Sequence, residues 1–280
     1  MCALVTGATS QLGHAVLPLL VDDGVGVIAL SRTSRPAPDA RIEWLQGELP
    51  AAMPALPALD AIISFGPLDG LAEWLSTQAH APARAVVATS SMSAVSKRHS
   101  NVPEDRAVAE RLLRGEAALR RECERLGMRW TLLRPTMIYG VGLDRNLTPI
   151  ARRALRSRLF PIPPGRGLRQ PVHAQDVAQA ALSAMRSEAA ASRIIELGGG
   201  ERLRVGEMFR RVRASLDRST LPLVVPSAAL PLASRLLPRL RGALSRLDHD
   251  LVADNTVATE VLGVHPRPFR PSMSTWQVEP

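Results

Sequence analysis

Cysteine, tyrosine and lysine are nearly absent from this 280-residue chain. Two cysteines, Cys2 and Cys123, give no disulfide framework and no zinc site, so a reducing, cytoplasmic setting is the expectation. No metal is expected. There is no basic stretch ahead of an apolar core at the start and no uncharged run long enough to span a bilayer, so export is not expected. Aromatic residues make up only 3% of the chain, and its arginines are scattered without basic–aromatic interleaving, which argues against nucleic acid as a partner. Lys97 is the only lysine, so the net charge of +9 rests on arginine and favours phosphorylated or otherwise acidic partners. Tyr139 is the only tyrosine.

What is present begins at Val5–Gly13, V-T-G-A-T-S-Q-L-G. An apolar run (Ala3 to Val5) ends in a glycine-bearing loop, and a helical pattern (Leu12, Val16, Leu19, Leu20) follows. Gly7 can turn the chain with positive φ, Gly13 lets the helix approach the strand, and the helix N-terminus offers free N–H groups to a pyrophosphate. Ser10 stands where the usual pattern has its middle glycine. The alternative is an ordinary tight turn between strand and helix.

Further strands are expected at Val25–Leu30, Ile42–Leu45, Ala61–Phe65 and Ala85–Ala88, with a helix over 71–81. This alternation predicts an α/β chain with a doubly wound parallel sheet of Rossmann type. The second strand ends in Ser31-Arg32, where an acidic residue would accept from the 2′-OH of NAD. Serine and arginine suit a 2′-phosphate, so NADP is favoured, with NAD left open. A solvent-facing arginine at a strand end is the plainer alternative, and Arg35 either assists or is simply loop.

Beyond the first loop the chain carries T-S-S-M-S at 89–93, L-L-R-P-T-M-I-Y-G at 132–140, P-V-H-A-Q-D-V-A at 171–178 and V-L-G-V-H-P-R-P-F at 261–269. With these motifs it resembles the extended short-chain dehydrogenase/reductases, the NAD-dependent epimerase/dehydratase family. The resemblance implies a cofactor site of Gly7, Thr9, Ser10, Gln11, Leu12, Gly13, Ser31, Arg32, Glu48, Leu49, Phe65, Gly66, Ser90 and Pro135. It also implies a small substrate, phosphorylated or nucleotide-linked, bound under a C-terminal lobe.

The departures fall on the chemistry. The family uses a tyrosine and a lysine four residues apart on one helix face, where the lysine lowers the tyrosine pKa, plus a hydroxyl on the preceding strand end. No Tyr-x-x-x-Lys exists here. The helix that should carry the pair runs from Pro103 to before Gly127, with Val108, Leu112, Leu119, Cys123 and Leu126 as its expected apolar stripe. Anchored on Glu116, the tyrosine position reads Val108 and the lysine position Leu112. The hydroxyl position reads Met92, or Ser93 after a shift of one. Tyr139 and Ser93 are the remaining catalytic candidates; a packed aromatic is the other reading of Tyr139. Lys97 and His99 are expected in a solvated basic loop, and His173 at a pocket edge.

Later elements are expected at Asn146–Arg158 (helix), Gln175–Met185 (helix), Ile194–Leu197 (strand) and 205–216 (basic helix). Residues 1–145 are assigned to the dinucleotide-binding core; 146–280 completes it over about 171–200 and otherwise forms the lobe. Segment 221–247 is rich in Leu, Pro, Ala and Arg without an acidic residue. A flap whose leucines pack on the core is its plainer reading; contact with an anionic membrane surface or a pyrophosphate-bearing substrate is the other. Arg270–Pro280 is expected to be a tail, and the molecule a monomer or homodimer. Two functions remain: an NADP-dependent oxidoreductase or epimerase with non-standard proton transfer, or a catalytically inactive dinucleotide-binding sensor or structural subunit.

Overall fold

The strand–helix alternation is realised in a computed structural model that describes residues 1–36, 39–229 and 241–278. In chain order the elements are β1 (Cys2–Thr6), α1 (Gln11–Asp22), β2 (Gly26–Ser31), β3 (Ile42–Gln46), β4 (Leu59–Ser64), α2 (Leu68–Ser76), β5 (Ala83–Thr89) and α3 (Ser93–Ser96). There follow α4 (Pro103–Arg125), β6 (Arg129–Pro135), β7 (Ile138–Tyr139), α5 (Thr148–Ser157), β8 (Leu159–Ile162), β9 (Leu168–Arg169), β10 (Val172–His173) and α6 (Ala174–Arg186). The chain continues with β11 (Arg193–Leu197), β12 (Leu203–Arg204), α7 (Val205–Ala214), β13 (Leu221–Val224) and two short helices, Arg241–Ser245 and Thr256–Leu262.

Seven strands form one parallel sheet in the order β11-β6-β5-β4-β1-β2-β3. The sequence reverses direction at β1, next to β4, and in open α/β sheets ligands bind beyond the strand ends at that reversal. Strands buried on both faces read as continuous apolar runs, as A-I-I in β4 and A-V-V-A in β5 do. One core layer joins the sheet to α1 and α6, and a second joins it to α2 and α4. A third cluster, Tyr139, Leu147, Phe160, Phe269 and Trp276 among it, fills the C-terminal lobe.

Several expectations are corrected. The helix expected over 71–81 is α2, Leu68–Ser76. Pro67 supplies its N-cap backbone. The side chains of Ser76 and Thr77 turn back onto the carbonyls of Glu73 and Trp74, at 2.7 and 2.8 Å, and compete with further helix. On α4 the buried face is Asp105, Ala109, Gly115, Glu116, Leu119, Glu122 and Cys123; Val108, Leu112 and Leu126 are only half-buried. Gly115 fixes this rotation, because a Cβ there would lie 2.9 Å from Leu68 Cβ on α2.

The C-terminus is no tail as far as Val278. Met273–Trp276 forms a short 3₁₀ turn, Trp276 is buried, and its indole Nε1 donates to Ser215 Oγ at 2.8 Å. In 221–247 the leucines expected to pack on the core divide. Leu221 and Leu223 are exposed on β13, Leu247 is buried, and 230–240 lies outside the described residues.

Candidate functional site

The loop after β1 is built on two positions that admit only glycine. Gly7 has φ +69°, and a Cβ there would sit 2.9 Å from the Phe65 carbonyl carbon at the end of β4. A Cβ on Gly13 would be 2.1 Å from the Ala8 oxygen. Between them Ser10 is the N-cap of α1, its Oγ accepting from Gly13 N at 3.2 Å, so the serine in place of glycine secures the helix start. Gln11 Nε2 donates to the Gly140 carbonyl at 3.0 Å, fastening the loop to the turn after Tyr139. Thr9 is exposed and Leu12 buried beneath the loop. The result is a strand end, a tight loop and a helix N-terminus open to an anion.

At the next strand end Ser31 is buried and its Oγ accepts from Thr33 N at 3.2 Å. Arg32 projects outward with its Nη1 3.9 Å from Glu48 Oε1, an exposed pair. Arg35 lies over the Trp44 ring, 5.7 Å from its centroid, and its charge reinforces the burial that lowers the His14 pKa. Leu49 and Phe65 are half-buried, and the backbone N–H of Phe65 donates to Thr6 O at 3.0 Å, so the ends of β1 and β4 stay together with Gly66 beside them.

Near the end of β5, Ser90 Oγ donates to Glu116 Oε1 at 2.5 Å, and Arg134 grips the same carboxylate with its Nε at 2.8 Å and its Nη2. The Ser90 hydroxyl is therefore committed to α4. Glu116 raises the Arg134 pKa in return. Met92 is buried and its N–H donates to Pro135 O at 3.0 Å; Ser93 opens α3, its N–H held by Ser91 Oγ at 3.1 Å. Val108 and Leu112 are half-buried on α4.

The solvated basic loop expected around Lys97 is not what forms. His99 is exposed, but Lys97 Nζ sits 3.1 Å from Asp105 Oδ1, and Arg246 takes Oδ2. Burial alone would raise the Asp105 carboxyl, yet the hydrogen bonds from Lys97 and Arg246 outweigh it and hold it below the usual range. Arg246 begins a strap across 165–169. The buried Arg169 guanidinium donates to the carbonyls of Arg246 and His249 at 2.7 and 2.8 Å, and its pKa falls to about 10 through burial and the Arg246 charge. Asp248 and Asp250 accept from the Arg166 and Leu168 N–H groups.

Pairing of β7 with β10 sets Tyr139 beside His173, edge to face with centroids 5.0 Å apart, and Phe269 closes the other side at 4.8 Å. Gly140 has φ +101°, and a Cβ there would meet His173 Nε2 at 2.5 Å. Burial, with help from the Asp176 charge, pushes the Tyr139 hydroxyl up to about 12. Burial and then Arg267 push His173 down to about 4, and its Nδ1 accepts from Gln175 N at 3.2 Å. Tyr139 is thus a protonated, packed aromatic, and Ser93 lies on a different element from it.

Sequence reasoning missed Asp105, Arg134, Asp144, Arg169 and the buried Gln170. Asp144 caps α5, accepting from the N–H groups of Asn146, Leu147 and Thr148 at 2.9, 2.6 and 3.1 Å. The available signal was a carboxylate on the buried face of a long helix: such a charge needs a cation, and Asp105 and Glu116 each have one.

This arrangement defines the class: a Rossmann-type α/β fold with a C-terminal lobe. The model of the NAD dependent epimerase/dehydratase family matches residues 71–198. No curated protein matches. Solved structures of the same fold include MoeE5 in complex with UDP-glucose and NAD, at 19% identity and TM-score 0.73, over 99% of this chain and 97% of that one. The UDP-N-acetylglucosamine 4-epimerase from Bacillus cereus aligns at 16% identity and TM-score 0.70, over 98% and 94%. The UDP-glucuronic acid 4-epimerase from the same organism, in complex with UDP-glucuronic acid and NAD, aligns at 15% and TM-score 0.71, over 98% and 96%.

Proposed function

We propose that the chain binds a nicotinamide dinucleotide, NADP in preference to NAD, and acts on a small nucleotide-linked or phosphorylated substrate without the family's tyrosine–lysine pair. The observation that carries this reading is the cradle at Gly7 and Gly13: both positions would clash with any side chain, and together they open the N-terminus of α1. The bound nicotinamide would supply hydride chemistry at its ring. Around it, Ser10 and Gln11 hold the phosphate loop, Pro135 and Met92 shape the floor, and Arg32 with Arg35 faces a 2′-phosphate. Glu48 competes for Arg32, so the preference rests on the two arginines together. Residues 1–145 form the binding core, and 146–280 completes it and supplies the lobe. The complexes of similar proteins with NAD and UDP-sugars support the substrate class.

One set of observations favours a second reading, a dinucleotide binder without turnover. Ser90 is bound to Glu116, a hydroxyl with a pKa of about 12 makes Tyr139 a poor acid near neutrality, and the sequence has no Tyr-x-x-x-Lys pair.

Fluorescence titration of the wild type and Arg32→Ala with NADPH and NADH tests the binding claim. NADPH selectivity that Arg32→Ala lowers is expected; absence of binding by either cofactor overturns the proposal. Once a substrate is identified, Tyr139→Phe separates the readings. Strongly reduced turnover with intact cofactor affinity supports Tyr139 as donor, and unchanged turnover removes it.

A further inference from the structure

The β8–β13 pair at the lobe's edge leaves a strongly apolar surface uncovered. Leu221, Leu223 and Val224 keep 69, 54 and 67% of their surface exposed, and Leu159, opposite Leu221, keeps 48%. Successive side chains alternate across a strand, so both faces of β13 are open and apolar. Folded monomers seldom leave such a patch without a use.

In the sequence, the stretches that contain it carry one sign of charge. Stretch 145–175 contains seven arginines and no acidic residue, and 218–247 contains five and none, with Asp217 at the border. These two stretches supply β8 and β13. Arg153 and Arg156 on α5, Arg158 just before β8 and Arg218 before β13 are exposed and form no ion pair among the described residues. Arg158 Nη1 donates to Ser219 O at 3.3 Å, which ties the two strand starts together at the basic end of the patch.

We propose that this edge docks on an anionic lipid surface. Leu159, Leu221, Leu223 and Val224 enter the interface, while Arg153, Arg156, Arg158 and Arg218 meet headgroup phosphates. An added peptide strand fits less well. Leu221 N donates to Arg158 O at 2.8 Å and Val225 N to Ile162 O at 3.1 Å, so residues 222 and 224 face outward. Pro222 has no N–H, which leaves Val224 as the single outward donor on β13. A lipid surface asks for no such donors; it rewards apolar area and positive charge, each basic group near an anionic leaflet adding about fivefold in affinity. The proposal does not depend on cofactor binding.

The test is flotation of the full chain with vesicles of phosphatidylcholine, with and without phosphatidylglycerol. Binding only to the anionic vesicles, weakened by salt, is expected. Leu221→Ser/Leu223→Ser/Val224→Ser should lower it by about tenfold or more. Arg153→Glu/Arg156→Glu should abolish it while leaving thermal stability unchanged, and this variant decides alone if the serine variant does not fold. Failure to float with anionic vesicles overturns the proposal, as does undiminished flotation of the charge-reversed variant. So does a dimer that the serine variant loses while vesicle binding is absent, since the patch would then serve a second copy.

Discussion

Asp105 holds Lys97 with one carboxylate oxygen and Arg246, 141 residues further on than itself, with the other, joining the turn after α3 to that segment. The carboxylate is buried, and the two cations keep only 19 and 14% of their side-chain exposure, so the pair is shielded enough to matter. Asp105→Asn would leave two cations facing a neutral amide, at a cost of about 3 kcal/mol, the low end for breaking a buried pair. Urea unfolding measures it. The Asp105 pKa is lower folded than unfolded, so its contribution is complete above the ordinary carboxylate range and disappears as pH falls through the folded value. The difference between wild type and Asp105→Asn should therefore be constant near neutrality and shrink below about pH 4.

His173 gives a second, separate pH dependence. Its pKa drops to about 4 on folding, whereas the unfolded chain binds the proton near pH 6.5. Stability should decline as pH falls from that value toward 4, by about 3 kcal/mol in all. His173→Gln should flatten the melting temperature across this window; an unchanged slope would assign it to other groups.

Trp276 seals the lobe cluster. Trp276→Ala removes a large buried side chain and the bond to Ser215, and should cost about 3–5 kcal/mol. Deleting 272–280 should lower the melting temperature comparably.

Gly13→Ala should be felt at the cofactor site and in stability together. The added methyl group meets the Ala8 carbonyl, so the first turn of α1 must move, at about 1–3 kcal/mol. NADPH titration should show at least about a tenfold weaker complex, since the shifted N–H groups no longer converge.

The sheet was legible because its evidence is local. Ala3–Val5, Val25–Leu30 and Ala61–Phe65 are apolar runs bounded by turn residues, and Gly7 and Gly13 are required by contacts close in sequence or in the adjoining strand. The face of α4 was legible only in its second half, where Leu119 and Cys123 are buried as expected: Val108 and Leu112 extend a greasy stripe on paper, but Gly115 against Leu68 turns the first half aside and buries Asp105 and Glu116. Their cations, Lys97, Arg246 and Arg134, come from other elements that no helical period reveals. The same holds for Trp276, whose partners Ser215 and the Arg152 side chain on its carbonyl lie 61 and 124 residues away. Tyr139 was legible as an aromatic beside a loop; its burial against Phe269 depends on a chain end that looked like a tail.

The strap held by Arg169 has a consequence for the order in which the molecule assembles. Its bonds close loops of 77 and 80 residues and lie outside any regular ladder, so they reward the chain only after the lobe strands have met. Segment 246–251 should dock late in folding. In native hydrogen exchange its amides should open well before those of β1 and β4, making this strap within the lobe an early contact to let go.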